Sequence, residues 1–186
     1  LDAPAFASGR SSQTKILTLQ HVSGWEYGDN FFFVDLIDDN LRDSFNDRDV
    51  YTEFYATFSL SKLMNRDIRL GCVTDLGLVA GINYGADPDV LKWLPGLRLA
   101  WDLPGFNFFQ TYVTAFIDDN AGVAGGGAPR ETDSFMIDIV WQYPFSLGTH
   151  DFSIEGHAEF IGGRRNEFGN DVDWWIFAQP QFRYDV

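Results

Sequence analysis

The run Phe31-Phe32-Phe33-Val34-Asp35-Leu36-Ile37 constrains this chain more than any other stretch. In extended backbone, successive side chains point to opposite faces. Phe32, Val34 and Leu36 therefore share one face, and Phe31, Phe33 and Asp35 share the other. The first face is wholly apolar; the second sets aromatic rings beside a carboxylate. A soluble sandwich would turn the charged face to water and leave two phenylalanines there. A membrane barrel meets lipid with the apolar face and lines its lumen with the mixed one. The run lies within Thr14–Asp38, which reads as two strands, Thr14–Trp25 and Asn30–Asp38. Between them, Tyr27-Gly28-Asp29-Asn30 supplies turn residues that tolerate positive φ.

The same alternation recurs along the chain. Strands are expected over Tyr51–Leu60, Ile68–Tyr84, Leu97–Leu103, Asn107–Ile117, Ser134–Tyr143, Phe152–Ile161 and Asp173–Tyr184. Gly71, Gly77 and Gly81 suggest a bulge or break in the second of these. Loops are expected at Leu1–Gln13, Asp39–Asp49 and the Gly-rich Asn120–Glu131, and a short turn at Lys62–Asp67. Asp87–Leu94, with Pro88 near its start, reads as one helical turn inside a loop. That makes nine segments, each with an apolar and a mixed face. About ten residues per strand, tilted near 45°, suffice to cross the hydrocarbon layer. The expected fold is all-β, a single domain over residues 1–186 forming a transmembrane antiparallel up-and-down β-barrel. Phe32, Val34, Leu36, Phe54, Phe58, Leu99, Trp101, Ile137, Ile139 and Trp141 are expected to face outward.

Composition agrees and excludes several function classes. Aromatics make up 17% of the chain, with 18 Phe, 7 Tyr and 6 Trp, as interfacial girdles require. A formal net charge of −14 argues against nucleic acid, whose phosphates need cations. The lone Cys72 permits no internal disulfide, and His21, His150 and His157 lack metal-ligand spacing, so no metal or cofactor is expected. No G-x-S-x-G nucleophile motif is present, which leaves an outer-membrane hydrolase without support and predicts no enzyme. The tetrapeptide Ile-Asp-Asp-Asn occurs at Ile37–Asn40 and Ile117–Asn120, and reads as solvated loop entry more readily than as a calcium site. Connections are expected to alternate, short after the odd segments and long after the even ones, as between the two faces of an outer membrane. Single-chain bacterial barrels have even strand numbers. Nine segments, with both ends on the long-loop side, predict further strands before Leu1 and after Val186.

Four stretches carry a family resemblance: LTLQHVSGWEYGDNFFFVD within Thr14–Asp38, FSLSKLMNRD at Phe58–Asp67, LPGLRLAWDLPGFNFFQ at Leu94–Gln110, and QPQFRYD at Gln179–Asp185. In order and spacing they resemble the nucleoside-specific channel-forming outer-membrane proteins, the Tsx-like family. The resemblance implies a 12-stranded, monomeric, narrow barrel in a Gram-negative outer membrane, surrounded by lipid and passing nucleosides by diffusion. One strand would precede and two would follow the nine in this chain, which also lacks the usual C-terminal aromatic residue.

Such a lumen needs rings that stack on a base and polar groups that meet a ribose. The alternation directs Phe31, Phe33 and Asp35 inward on one strand, Glu53 and Tyr55 on the next, and Arg98 and Asp102 further on. Tyr112, Asp138, Glu155, Glu159 and Arg183 complete the candidate set. Opposed acids and arginines can equally form cross-strand pairs that merely fill a narrow barrel. A nucleoside-like solute channel and a ligand-holding or structural barrel without throughput are therefore both compatible with the pattern.

Overall fold

The structure is a computed structural model that describes residues 2–4, 11–40, 47–87 and 89–185. Its strands are β1 (Asp2–Pro4), β2 (Ser11–Trp25), β3 (Gly28–Asp39), β4 (Arg48–Ser59), β5 (Val73–Gly85), β6 (Val90–Trp101), β7 (Phe108–Asp118), β8 (Ser134–Leu147), β9 (His150–Ile161), β10 (Arg164–Arg165), β11 (Asp171–Val172) and β12 (Trp175–Asp185). One α-helical turn, α1 (Leu60–Leu63), and one 3-10 turn at Val123–Gly125 interrupt them. Nine long strands, β2 to β9 and β12, pair antiparallel in chain order, and the short β1 adds to the outer edge of β2. Among the described residues no ladder joins β2 to β12, so the sheet is a half-barrel.

Alternation decides which face is which. Along β6, Lys92, Leu94 and Arg98 are buried while Trp93 and Leu97 are exposed. Met136 on β8, Ser153, Glu159 and Ile161 on β9, and Thr57 and Ser59 on β4 are likewise buried. The opposite parity is apolar: Leu36, Phe54, Leu78, Val113, Phe135 and Ile154 are all exposed. Phe32, Phe54 and Ile82 stand side by side in register, as do Leu99, Thr111, Ile139 and Ala158. Every residue expected to face outward has that parity.

The sheet is curled, and side chains that meet across it measure the curl. In a flat sheet β3 and β6 would lie about 14 Å apart. Yet Arg98 Nη1 on β6 donates to Asp29 Oδ2 on β3 at 2.7 Å. Likewise the Tyr55 ring on β4 lies 6.3 Å from that of Tyr112 on β7. The inward parity is thus the concave face. Leu94, Phe116, Met136 and Ile161 from β6 to β9 form its apolar cluster, with Tyr55 packed against them. At the margins, β2 and β12 are exposed on both faces, and Val22 and Phe182 are among their most open side chains.

Several local expectations are corrected. Leu1–Gln13 is not all loop: Asp2–Pro4 pairs with Ser11–Gln13. The expected turn Lys62–Asp67 begins inside α1, whose cap Ser59 accepts from Lys62 N at 3.2 Å. Lys62 Nζ then donates to the carbonyls of Trp25 and Gly28, fastening this connection to the β2–β3 turn. The described residues of Asp87–Leu94 are not helical, because β6 begins at Val90 and pairs with β5. Pro95 has no N–H to offer, and the β6–β7 ladder skips Leu94 and Pro95 accordingly. The β5–β6 connection, residues 86–89, is therefore short, and the expected alternation of loop lengths holds only in part. Within the Asp39–Asp49 loop, residues 41–46 lie outside the described residues, as does Pro88.

Gly28 is required by close backbone approach. A Cβ there would sit 1.7 Å from the Thr57 carbonyl oxygen across the β3–β4 pair. At Gly24 the nearest atom is 4.0 Å away. Gly28→Ala is expected to destabilise the fold by about 1–3 kcal/mol or more as an overpacked site, and Gly24→Ala to leave it within about 0.5 kcal/mol. Denaturant unfolding of both variants, followed by tryptophan fluorescence, checks this.

Candidate functional site

The concave face carries three levels of polar chemistry. At the end near the β2–β3 turn, Arg98 is 5% exposed and holds two carboxylates, Asp29 Oδ2 through Nη1 and Asp75 Oδ2 through Nη2, each at 2.7 Å. Its Nε has no partner among the described residues. Arg98 therefore spans this end of the trough as an ion-paired bridge from β6 to β3 and β5.

At the opposite end a second network fastens two loops. Lys92 on β6 pairs with Asp118 on β7 and, at 3.2 Å, with Glu131 of the β7–β8 loop. Arg164 on β10 reaches the same Glu131 at 2.8 Å. Lys92 and Arg164 both lie over the Phe116 ring, 5.4 and 5.3 Å from its centre. Asn120 accepts from Leu91 N and donates to Pro129 O, while Glu167 accepts from Val123 N. The β7–β8 loop is thus tied to β6 and to the β9–β12 connection. The repeated Ile-Asp-Asp-Asn segments are not merely solvated: Asp118 is in this ion network, and Asp39 and Asn120 are buried.

Between these ends lies the aromatic and acidic middle. Register sets Phe31 opposite Tyr55, Phe33 opposite Glu53 and Asp35 opposite Tyr51 on β3 and β4. The rings form a ladder: Phe31–Phe33 at 6.2 Å, Phe31–Tyr55 at 6.5 Å and Phe33–Tyr51 at 5.8 Å between centroids. Glu53 accepts from the hydroxyls of Tyr51, at 2.6 Å, and Tyr55, at 3.2 Å. Tyr55 also lies within reach of Asn83 Oδ1 on β5, at 3.3 Å. Across the trough, Asp138 on β8 lies 3.6 Å from His157 Nδ1 on β9. Glu53 feels the charges of Asp138 and His157, and Glu159 feels all three. Three carboxylates and one imidazole therefore share this level.

The candidate residues divide by what they touch. Phe31, Phe33, Glu53, Tyr55, Tyr112, Asp138 and Glu159 are drawn together around the middle of the concave face. Asp35 shares the face and accepts from Thr18 Oγ1 at 2.6 Å. Arg98 belongs to the turn-end bridge instead. Glu155 and Arg183 form a cross-strand pair at 3.0 Å, with Gln142 also donating to Glu155, which is the lumen-filling arrangement. Asp102 lies past the end of β6, exposed, its N–H donating to Cys72 O. Tyr51 and Asn83 escaped sequence reasoning although strand parity pointed both inward. Lys92 was hidden by the helical reading of its segment, while Glu131 in a loop and Arg164 on the two-residue β10 have no periodicity to read. No protein-family model, curated protein or solved structure matches this chain.

The Lys92 and Asp118 side chains are only 6% and 4% exposed, so removing one partner leaves an uncompensated charge in the loop-end network. Lys92→Met is expected to cost about 3–5 kcal/mol. Lys92→Met combined with Asp118→Asn is expected to regain part of that loss, because charge balance is restored. A double-mutant cycle on unfolding free energy measures the coupling.

Proposed function

We propose that this chain forms the wall of an outer-membrane β-barrel that passes small, flat, hydrogen-bonding solutes of the nucleoside type. The observation that carries the reading is the division of one curled sheet into an apolar convex face and an aromatic, carboxylate-bearing concave face. Exposed leucine, phenylalanine and valine on the convex side suit hydrocarbon, where water-facing burial would not pay. On the concave side, the Phe31–Phe33–Tyr55 ladder offers ring faces, and Glu53, Asn83 and Asp35 offer acceptors for hydroxyl and amine donors. The sequence resemblance to nucleoside-specific outer-membrane channels points the same way.

A second reading rests on the apolar cluster. Leu94 and Met136 are fully buried against Phe116 and Ile161, so part of the trough is filled by the chain's own side chains. A barrel packed in this way throughout would be a structural or ligand-holding element without throughput. Conductance separates the two readings.

The test is reconstitution of the full-length protein in planar bilayers. Discrete conductance steps, reduced by added nucleoside, are expected for the channel; insertion without conductance supports the packed barrel. Phe31→Ala/Phe33→Ala is expected to insert as the parent does, since neither ring lies on the convex face. It is expected to weaken nucleoside block by roughly 5- to 150-fold, the equivalent of losing about 1–3 kcal/mol of stacking. Equal block in parent and double variant would reduce the aromatic pair to lumen filling.

A further inference from the structure

The β4–β5 connection, residues 60–72, differs from its surroundings in both charge and exposure. The chain carries a formal net charge of −14. Within this connection, however, Lys62, Arg66 and Arg69 face a single acid, Asp67. The other connections at the same end, residues 26–27, 102–107 and 148–149, contain no lysine or arginine. Arg66 and Arg69 are exposed, and among the described residues neither side chain has a hydrogen bond or ion pair. Lys62 gives two N–H groups to carbonyls and keeps a third. Ser61, Lys62, Asn65, Arg66 and Asp67 line an open pocket beside them.

The apolar side chains of the connection are turned out of the protein although its backbone is tied down. Leu63, Met64 and Leu70 are all exposed, Leu70 by 81%. Ser61 N donates to Asp75 Oδ1 and Ile68 N to Ser61 Oγ, each at 3.2 Å, while Leu70 and Val73 exchange backbone hydrogen bonds. A segment whose backbone groups are satisfied in this way can lie in a partly dehydrated layer. It also adjoins an aromatic border. Trp25 meets Tyr27 and Phe58 edge to face, with centroids 5.5 and 5.4 Å apart, and Lys62 fastens the connection to the Trp25 carbonyl. Trp25 and Phe58 have the convex parity, so the connection continues the apolar face at its rim. Tryptophan and tyrosine at such a rim suit the headgroup layer.

We infer that residues 60–72 form an interfacial docking site for anionic phospholipid. Leu63, Met64 and Leu70 enter the acyl boundary, and Arg66 and Arg69 bind headgroup phosphates above it. The inference rests on the membrane-barrel reading. The occupant follows from three features that coincide here: unpaired guanidinium groups, exposed apolar side chains, and continuity with the face assigned to lipid. Guanidinium suits the phosphate because its planar fork offers paired donors.

Cys72, exposed and the only cysteine of the chain, places a fluorescent label beside Leu70. The labelled full-length protein is reconstituted in phosphatidylcholine vesicles holding equal fractions of brominated phosphatidylglycerol or brominated phosphatidylcholine. The parent is expected to be quenched more by the anionic lipid, and added salt to weaken that preference. Arg66→Gln/Arg69→Gln is expected to lower the relative association of phosphatidylglycerol roughly 5-fold for each arginine removed. Arg66→Lys/Arg69→Lys is expected to retain a preference, and Arg165→Gln, exposed at the opposite end, to leave it unchanged. Leu70→Ser is expected to lower quenching by both lipids alike. In protein that resists carbonate extraction, quenching equal for the two headgroups overturns the inference. So does a glutamine variant with the parent's preference, a Leu70→Ser variant quenched as the parent is, or a label that neither lipid reaches, which would leave the patch to a water-soluble partner. Full-length protein that carbonate extracts from the vesicles overturns the membrane-barrel reading itself, and this inference falls with it.

Discussion

Every second side chain of the central strands must fit into one trough, and that steric constraint governs the rest of the structure. The pleat sends alternate residues to the concave face. The curl then brings β4 within ring contact of β7 and β3 within ion-pair reach of β6. Groups far apart along the sheet compete for the same small volume. Gly77, Gly81 and Gly96 lie where side chains or backbone from neighbouring strands crowd in, and a Cβ at each would come within 3 Å of them. Small residues on the concave parity make room for the large ones.

Charge in that volume is met at the two ends by direct pairing, evenly at the loop end and with one carboxylate in excess at the turn end. Arg98 joins three strands through two carboxylates at the turn end. Lys92, Asp118, Glu131 and Arg164 join two strands and two loops at the other. Such buried pairs add less net stability than their geometry suggests, because each ion is desolvated first. Their consequence here is architectural: they hold loops and strands in one arrangement around the concave face. The paired Glu155 and Arg183 show the same filling role nearer the β12 margin.

The middle level is different in kind. Its aromatic rings lie 5.8–6.5 Å apart along β3 and β4, spacings at which rings pack on each other and also present edges to a flat guest. Its carboxylates outnumber its cationic groups. Tyr51 and Tyr55 orient Glu53 by donating to it, so that acid is fixed in place even without a ligand. Fixed rings with oriented acceptors are a preorganised surface, whereas the apolar cluster beside them is packed core. The two lie on one face because the same parity serves both.

Much of the fold was legible in the chain because period-2 alternation is a local property of each strand. The parity of Phe31, Phe33, Glu53, Tyr112, Asp138 and Glu159, the antiparallel order, and the apolar convex face all follow from it. The start of β6 was not legible: Asp87–Leu94, with Pro88 near its start, reads as a helical turn, and only pairing with β5 overrides that local preference. Nor was the division of the site residues. Whether an inward arginine bridges two acids, as Arg98 does, or pairs with one, as Arg183 does with Glu155, depends on which strands the curl brings face to face. Lys92, Glu131 and Arg164 sit far apart in sequence and meet only when β6, the β7–β8 loop and β10 converge around Phe116. Alternation determines which side of the sheet a residue occupies; the curvature of the closed-in sheet decides what it meets there, because contacts across a trough have no signature in local sequence.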